Sequence, residues 1–229
     1  MSTSPNVSHK TSRTVISLPA SQINLASVGR YVAEQWANKF STFTTTFLTL
    51  TELQSICTRF HQAVSTKSAL LGKRKILTKE LNILCNAMDK NTTILKSYLK
   101  EEFGAESAKS YYTSFGLSTE NKKSILPSDR DKRILALQNI VNAMTTHTAL
   151  GSRKYGLLYW TEQLNTLQAQ WQIAKQTDSE LSALTETIRT DYPILRLYLT
   201  KIKQQIKLNS GSTYKQSWRD WGFQTEKYK

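Results

Sequence analysis

Ile94-Leu95-Lys96-Ser97-Tyr98-Leu99 and Ile194-Leu195-Arg196-Leu197-Tyr198-Leu199 are one string written twice, one hundred residues apart, with four identities and one Lys/Arg exchange. The same offset pairs like with like upstream. Phe60 falls on Trp160, Val64 on Leu164, Leu71 on Trp171, Glu80 on Glu180, Leu81 on Leu181, Leu84 on Leu184 and Met88 on Ile188. Six residues of insertion later, Tyr112-Thr113-Ser114-Phe115-Gly116-Leu117 answers Trp218-Arg219-Asp220-Trp221-Gly222-Phe223. Collinear self-similarity of this length is the signature of a duplicated supersecondary unit. The expected fold is an all-α helical bundle of two similar tandem units, 28–126 and 127–229, preceded by an extended N-terminal tail over 1–27.

Helical periodicity supports that class. From Trp160 the apolar residues fall at Leu164, Leu167 and Trp171, steps of four, three and four that share one helical stripe. Thr49-Leu50-Thr51-Glu52 and Thr177-Asp178-Ser179-Glu180 have the spacing of a capping box, and Ser128-Asp129-Arg130-Asp131 is an acidic variant of it. Asp191-Tyr192-Pro193 predicts a break or kink, because proline lacks the N–H that a helix interior uses. Helices are expected near 28–45, 51–76, 78–103, 105–115, 129–148, 152–176, 178–208 and 214–222, with no strands. Residues 1–27 are polar and unpatterned, with Pro5 and Pro19 opposing regular structure. Such a segment is expected to lie extended on another subunit or on the outside of its own bundle.

The strings YYTSFG, LPSDRDKRILALQ, KYGLLYW and WRDWGFQTEKY, within residues 98–229, resemble a group of uncharacterised bacterial helical proteins. These end in a Trp-Gly-Phe segment followed by Glu-Lys and an aromatic. The resemblance implies a helical fold and carries no activity and no functional residue.

A net charge of +14 on 229 residues creates a field that attracts nucleic acid, anionic lipid or an acidic protein face. Two acid-free groups of cations are the candidate anion-binding residues: Lys73, Arg74, Lys75 and Lys79, and then Arg196, Lys201, Lys203 and Lys207. On one helix face they would neutralise phosphates without reading bases. An ordinary Lys-rich surface explains them equally. The aromatic-Gly strings are read as structural anchors: Tyr98, Tyr112, Phe115 and Gly116 in the first unit, Tyr198, Trp218, Trp221 and Gly222 in the second. Each closing string is expected to dock its rings on its own unit while glycine supplies the left-handed turn.

Little points to chemistry. Cys57 and His61 share a helix face and Cys85 could be a third ligand, but structural zinc takes four, so both cysteines read as buried thiols. No Walker, dinucleotide, zincin or nucleophile-elbow string occurs, and Glu101, Glu102 and Glu106 alternate with lysines as a solvated helix face does. The expected function is a non-catalytic structural or adaptor subunit, acting through protein–protein assembly, without metal or cofactor. Its partners would be other protein subunits, reached in part through residues 1–27, in an oligomer or larger assembly. The alternative is sequence-nonspecific binding of nucleic acid or another polyanion. No apolar run of membrane-spanning length and no secretory h-region occurs, so an intracellular or particle location is expected, with organelle targeting by the N-terminal segment as the other option.

Overall fold

No proline interrupts residues 50–103, and apolar side chains recur there at steps of three and four, so nothing forces the chain out of a helix. The structure, a computed structural model describing residues 18–120 and 123–223, has a single helix over that whole stretch. In chain order the elements are α1 (Gln22–Asn38), α2 (Leu50–Phe103), α3 (Ala108–Tyr111), β1 (Ser118–Glu120), β2 (Lys123–Ile125), α4 (Arg130–Thr146), α5 (Thr148–Gly151), α6 (Leu157–Ser210), a 3₁₀ turn (Gly211–Thr213) and α7 (Tyr214–Asp220). Helix accounts for 79% of the described residues, so the all-α class holds. Among the described residues no helix is long and apolar enough to cross a membrane.

Several expected boundaries are corrected. The pairs 51–76 with 78–103, and 152–176 with 178–208, fuse into α2 and α6 of 54 residues each. Thr177 does not cap a new helix, because its hydroxyl donates to the Ile173 carbonyl one turn back at 2.8 Å. Pro193 lies inside α6, where it removes one ladder bond at a cost of about 3 kcal/mol. The turn before it is held from outside. Arg59 forks onto the buried Asp191 carboxylate at 2.6 and 2.7 Å, and the Tyr192 hydroxyl donates to the Ala20 carbonyl at 3.2 Å.

The expected tail over 1–27 ends earlier, and residues 1–17 lie outside the described residues. Leu18 is buried, the Ser21 side chain accepts from the Asn24 amide, and α1 begins at Gln22 with Leu25 and Ala26 fully buried. The 105–115 helix shortens to α3. Strands, expected to be absent, occur among the described residues as one two-stranded pairing of Ser118 with Ile125. Its reversal lets both flanking residues, Leu117 and Leu126, reach the core.

Compact units do not follow the expected halves 28–126 and 127–229. One unit comprises Met1–Ser68 and Ala183–Lys229, the other Ala69–Ser182. The first has its own core, where Leu25, Val32 and Trp36 of α1 meet Leu53, Cys57 and Phe60 of α2 and Leu195, Leu199 and Ile202 of α6. The second gathers Leu81, Met88 and Leu95 of α2, Leu137, Ile140 and Met144 of α4, and Trp160, Leu164 and Leu167 of α6. Each unit thus joins the start of one half of the sequence to the end of the other, because each long helix outruns a single core.

The two halves nevertheless repeat one series of elements. α1 and α4 each have 17 residues, α2 and α6 each 54. Ser21 and Asp129 cap the shorter pair with the same backbone, φ −66 and ψ 130 against φ −65 and ψ 131. Helix ends run 107 apart, Leu50 to Leu157 and Phe103 to Ser210, rather than the one hundred of the matching strings. The difference is one heptad, which returns side chains to the same helix face two turns along. Tyr98 and Tyr198 accordingly are both half-buried on a core, at different distances from their helix ends.

Both halves close alike. The Gly116 amide donates to the Thr113 carbonyl at 2.9 Å and Leu117 to Tyr112 at 2.9 Å; Gly222 donates to Arg219 at 2.9 Å and Phe223 to Trp218 at 2.8 Å. These are Schellman turns, with φ of +72 at Gly116 and +82 at Gly222. They drive Phe115 and Leu117, and Trp221 and Phe223, into the two cores.

Trp221→Ala is expected to lower the unfolding free energy by about 3–5 kcal/mol, the cost of a deleted core ring, as read from urea denaturation. Gly222→Ala should also destabilise, since a side chain there meets the left-handed backbone and the Tyr31 ring together. Unchanged midpoints in both variants would remove the closing turn from the packing account.

Candidate interaction surface

The described residues of the first unit, 18–68 and 183–223, hold 11 Lys and Arg against 5 Asp and Glu, a net +6. Its four candidate anion ligands all stand by aromatic rings. Arg196, half-buried, lies 5.5 Å from the Tyr192 ring and donates to the Pro19 carbonyl at 2.7 Å. Lys201 sits 5.3 Å from Phe47, and Lys207 5.1 Å from Tyr214. Lys203 is 2% exposed, 4.3 Å from the Trp218 ring and 5.7 Å from Phe223. Trp218 returns the contact, its indole donating to the Lys203 carbonyl at 2.8 Å. These cations pin the 39–49 segment, α7 and the closing turn onto α6 through cation–π contacts. Burial pushes the Lys203 ammonium down to about 8. Lys201 and Lys207 stay exposed, and neither forms an ion pair among the described residues.

The remaining candidates belong to the unit 69–182, where α2 carries Lys73, Arg74, Lys75 and Lys79 in exposed positions. Arg74 is committed to Asp178 of α6. Lys73, Lys75 and Lys79 make no ion pair among the described residues. Beside them lies a feature that sequence reading missed. Ile76 is 60% exposed and Ile83 is 59% exposed, seven residues apart on one helix face, while Leu77, Leu81 and Met88 turn inward. Ala69, seven before Ile76, is exposed as well, and nothing lies within 4 Å of where a Cβ at Gly72 would be. Alternating apolar residues announce a helix but not which of two stripes is covered.

In the same unit an open cleft of about 530 Å³ is lined by Asp131, Gln168, Trp171, Gln172 and Lys175, among others. Lys175 donates to Asp131 at 2.7 Å and the Trp171 indole donates at 3.0 Å, and these bonds hold the Asp131 carboxyl below its usual range. The cleft's charged groups thus neutralise one another.

The anchor residues divide between the two cores. Phe115, Trp218 and Trp221 are buried, and Tyr98, Tyr112 and Tyr198 are half-buried. Trp221 stacks on Phe40 at 4.6 Å, and Phe115 on His147 at 6.0 Å, the two halves again using one arrangement. Cys57 and Cys85 fall in different units, and no three metal-ligating side chains come together among the described residues. Burial pushes the Cys57 thiol up to about 12.

Set against protein-family models, curated proteins and solved structures, the chain matches none.

Two outcomes are expected. The unfolded chain holds the Lys203 proton more tightly than the folded one, whose amine titrates near 8 instead of 10.5. Stability from this group therefore rises with pH between those values. Thermal melts from pH 7 to 10 should show the midpoint gap between wild type and Lys203→Met moving in favour of wild type; a pH-independent gap would contradict the assignment. Native alkylation by iodoacetamide should spare Cys57 and label Cys85 faster, as mass spectrometry of the digested protein would read.

Proposed function

We propose that the chain is a non-catalytic structural or adaptor subunit that acts through protein–protein assembly. The observation carrying this reading is the exposed pair Ile76 and Ile83 on a stripe of α2 that its own core leaves uncovered. A helix with a second apolar stripe beside the one its core covers is suited to a further neighbour. Completing the burial of a large aliphatic side chain is worth about 1.5–3 kcal/mol for a fully exposed one, and roughly half of that is still to be gained at each isoleucine. Ala183 and Thr190 occupy the places on α6 that lie 107 residues beyond Ile76 and Ile83, and both are exposed. The helix architecture therefore tolerates small or polar residues there, and the isoleucines answer some other requirement.

Sequence-nonspecific polyanion binding is the second reading. Lys201, Lys207, Lys215 and Arg219 favour it, since none forms an ion pair among the described residues. The two readings part on salt. Neutralising several phosphates makes affinity fall by orders of magnitude between about 50 and 200 mM salt, whereas an apolar interface barely responds.

The protein should be affinity-purified from cells that naturally make it, at both salt concentrations and with and without nuclease. A protein partner retained under all four conditions is expected. Recovery of nucleic acid alone, lost at the higher salt, would replace the assembly reading with the polyanion one.

A further inference from the structure

We infer that the Ile76 face of α2 docks an acidic amphipathic helix supplied by a partner protein, an inference that rests on the assembly reading above. The apolar positions Ala69, Ile76 and Ile83 repeat every seven residues, the interval at which one helix meets another along a seam. An apolar helix face bound in this way is read through anchors spaced by three, four and seven residues. Gly72 lies within the seam and leaves it open for close approach.

Charge selects the occupant. Lys73 and Lys79 stand three residues on either side of Ile76, and Lys75 adjoins it. All three are exposed, and none pairs with a carboxylate among the described residues. Their aliphatic stems can widen the apolar strip while their ammonium groups form its rim. Glu80, four after Ile76 and three before Ile83, is the single acid on this face against three lysines, and the neighbouring Arg74 is already spent on Asp178. A second copy of the chain would bring Lys73, Lys75 and Lys79 against themselves, a like-charge contact that opposes pairing. Residues 1–17 contain Lys10 and Arg13 and no acid, so the same rim repels them. A helix with Asp or Glu along both edges of its apolar stripe gains from every one of these cations.

The test uses the full chain and synthetic three-heptad helices with leucine at the seam positions and either Glu or Lys at the flanking positions. Fluorescence anisotropy with labelled peptide reads binding at physiological salt. The Glu helix should bind and the Lys helix should not. The double variant Ile76→Ser with Ile83→Ser should weaken binding by roughly thirty-fold or more, as loss of central anchors does. Its circular dichroism should be unchanged, since both residues are exposed. Reversing Lys73, Lys75 and Lys79 to Glu should transfer the preference to the Lys helix, which a merely sticky surface would not do.

Absence of binding by the Glu helix, equal binding by the double serine variant, or an unchanged preference after charge reversal would overturn the inference. A dimer seen by sedimentation and dispersed by the serine pair would do the same, by making a second copy the occupant. A protein partner still retained by the serine variant in the purification above would then mark this face as wrong while leaving the assembly reading in place.

Discussion

A helix of 54 residues carries more apolar stripe than one small core can bury, and the chain contains two of them. This excess governs the rest of the structure. Residues 50–68 of α2 complete one core and residues 69–103 another, and α6 divides in the same way. A core built from such helices cannot belong to one half of the sequence. The start of each half is sealed by the end of the other, and the cooperative unit is set by packing rather than by the order in which similar strings occur.

What seals each core is also repeated, with one instructive exchange. Leu18-Pro19 and Leu126-Pro127 both bury the leucine and expose a proline carbonyl to an arginine. Arg196 of the long helix donates to Pro19 at 2.7 Å, whereas Arg133 of the short helix donates to Pro127 at 2.7 Å and is paired with Asp89. The equivalent acceptor is met from the long helix in one case and from the short helix in the other. A buried carbonyl before a helix needs a donor, and either neighbour can provide one.

Much of this architecture is legible in the sequence because its causes are local. Thr49 and Glu52 form the expected reciprocal cap, with the Thr49 amide 2.7 Å from the Glu52 carboxylate. The aromatic-Gly strings foretell the closing turns, since only glycine takes their φ without strain. Three things stay hidden. Heptad periodicity makes offsets of one hundred and 107 equivalent for side-chain facing, so string matching alone cannot choose the register. Leu18 and Ser21 start α1 inside a stretch whose polar composition reads as tail. Which half of the repeat completes which core is a long-range property that no local signal encodes. On the surface, the acid-free cation groups were visible, but their environment was not: Lys203 is buried on Trp218, and Arg74 is taken by Asp178.

Positive charge in this protein therefore acts partly as fastening and partly as display. Arg196, Lys203 and Lys207 hold segments to α6, while Lys73, Lys75 and Lys79 rim an apolar face that the core of α2 does not use. Both roles are carried on units assembled from both halves of the sequence, and the most direct test of that assembly is to cut the chain accordingly. Residues 69–182, expressed alone, should unfold cooperatively in urea with a helical circular dichroism spectrum. The sequential fragment 28–126 should not, because its α2 would lack the α4 and α6 residues that complete its core. Cooperative folding of 28–126 together with an unfolded 69–182 would contradict the account.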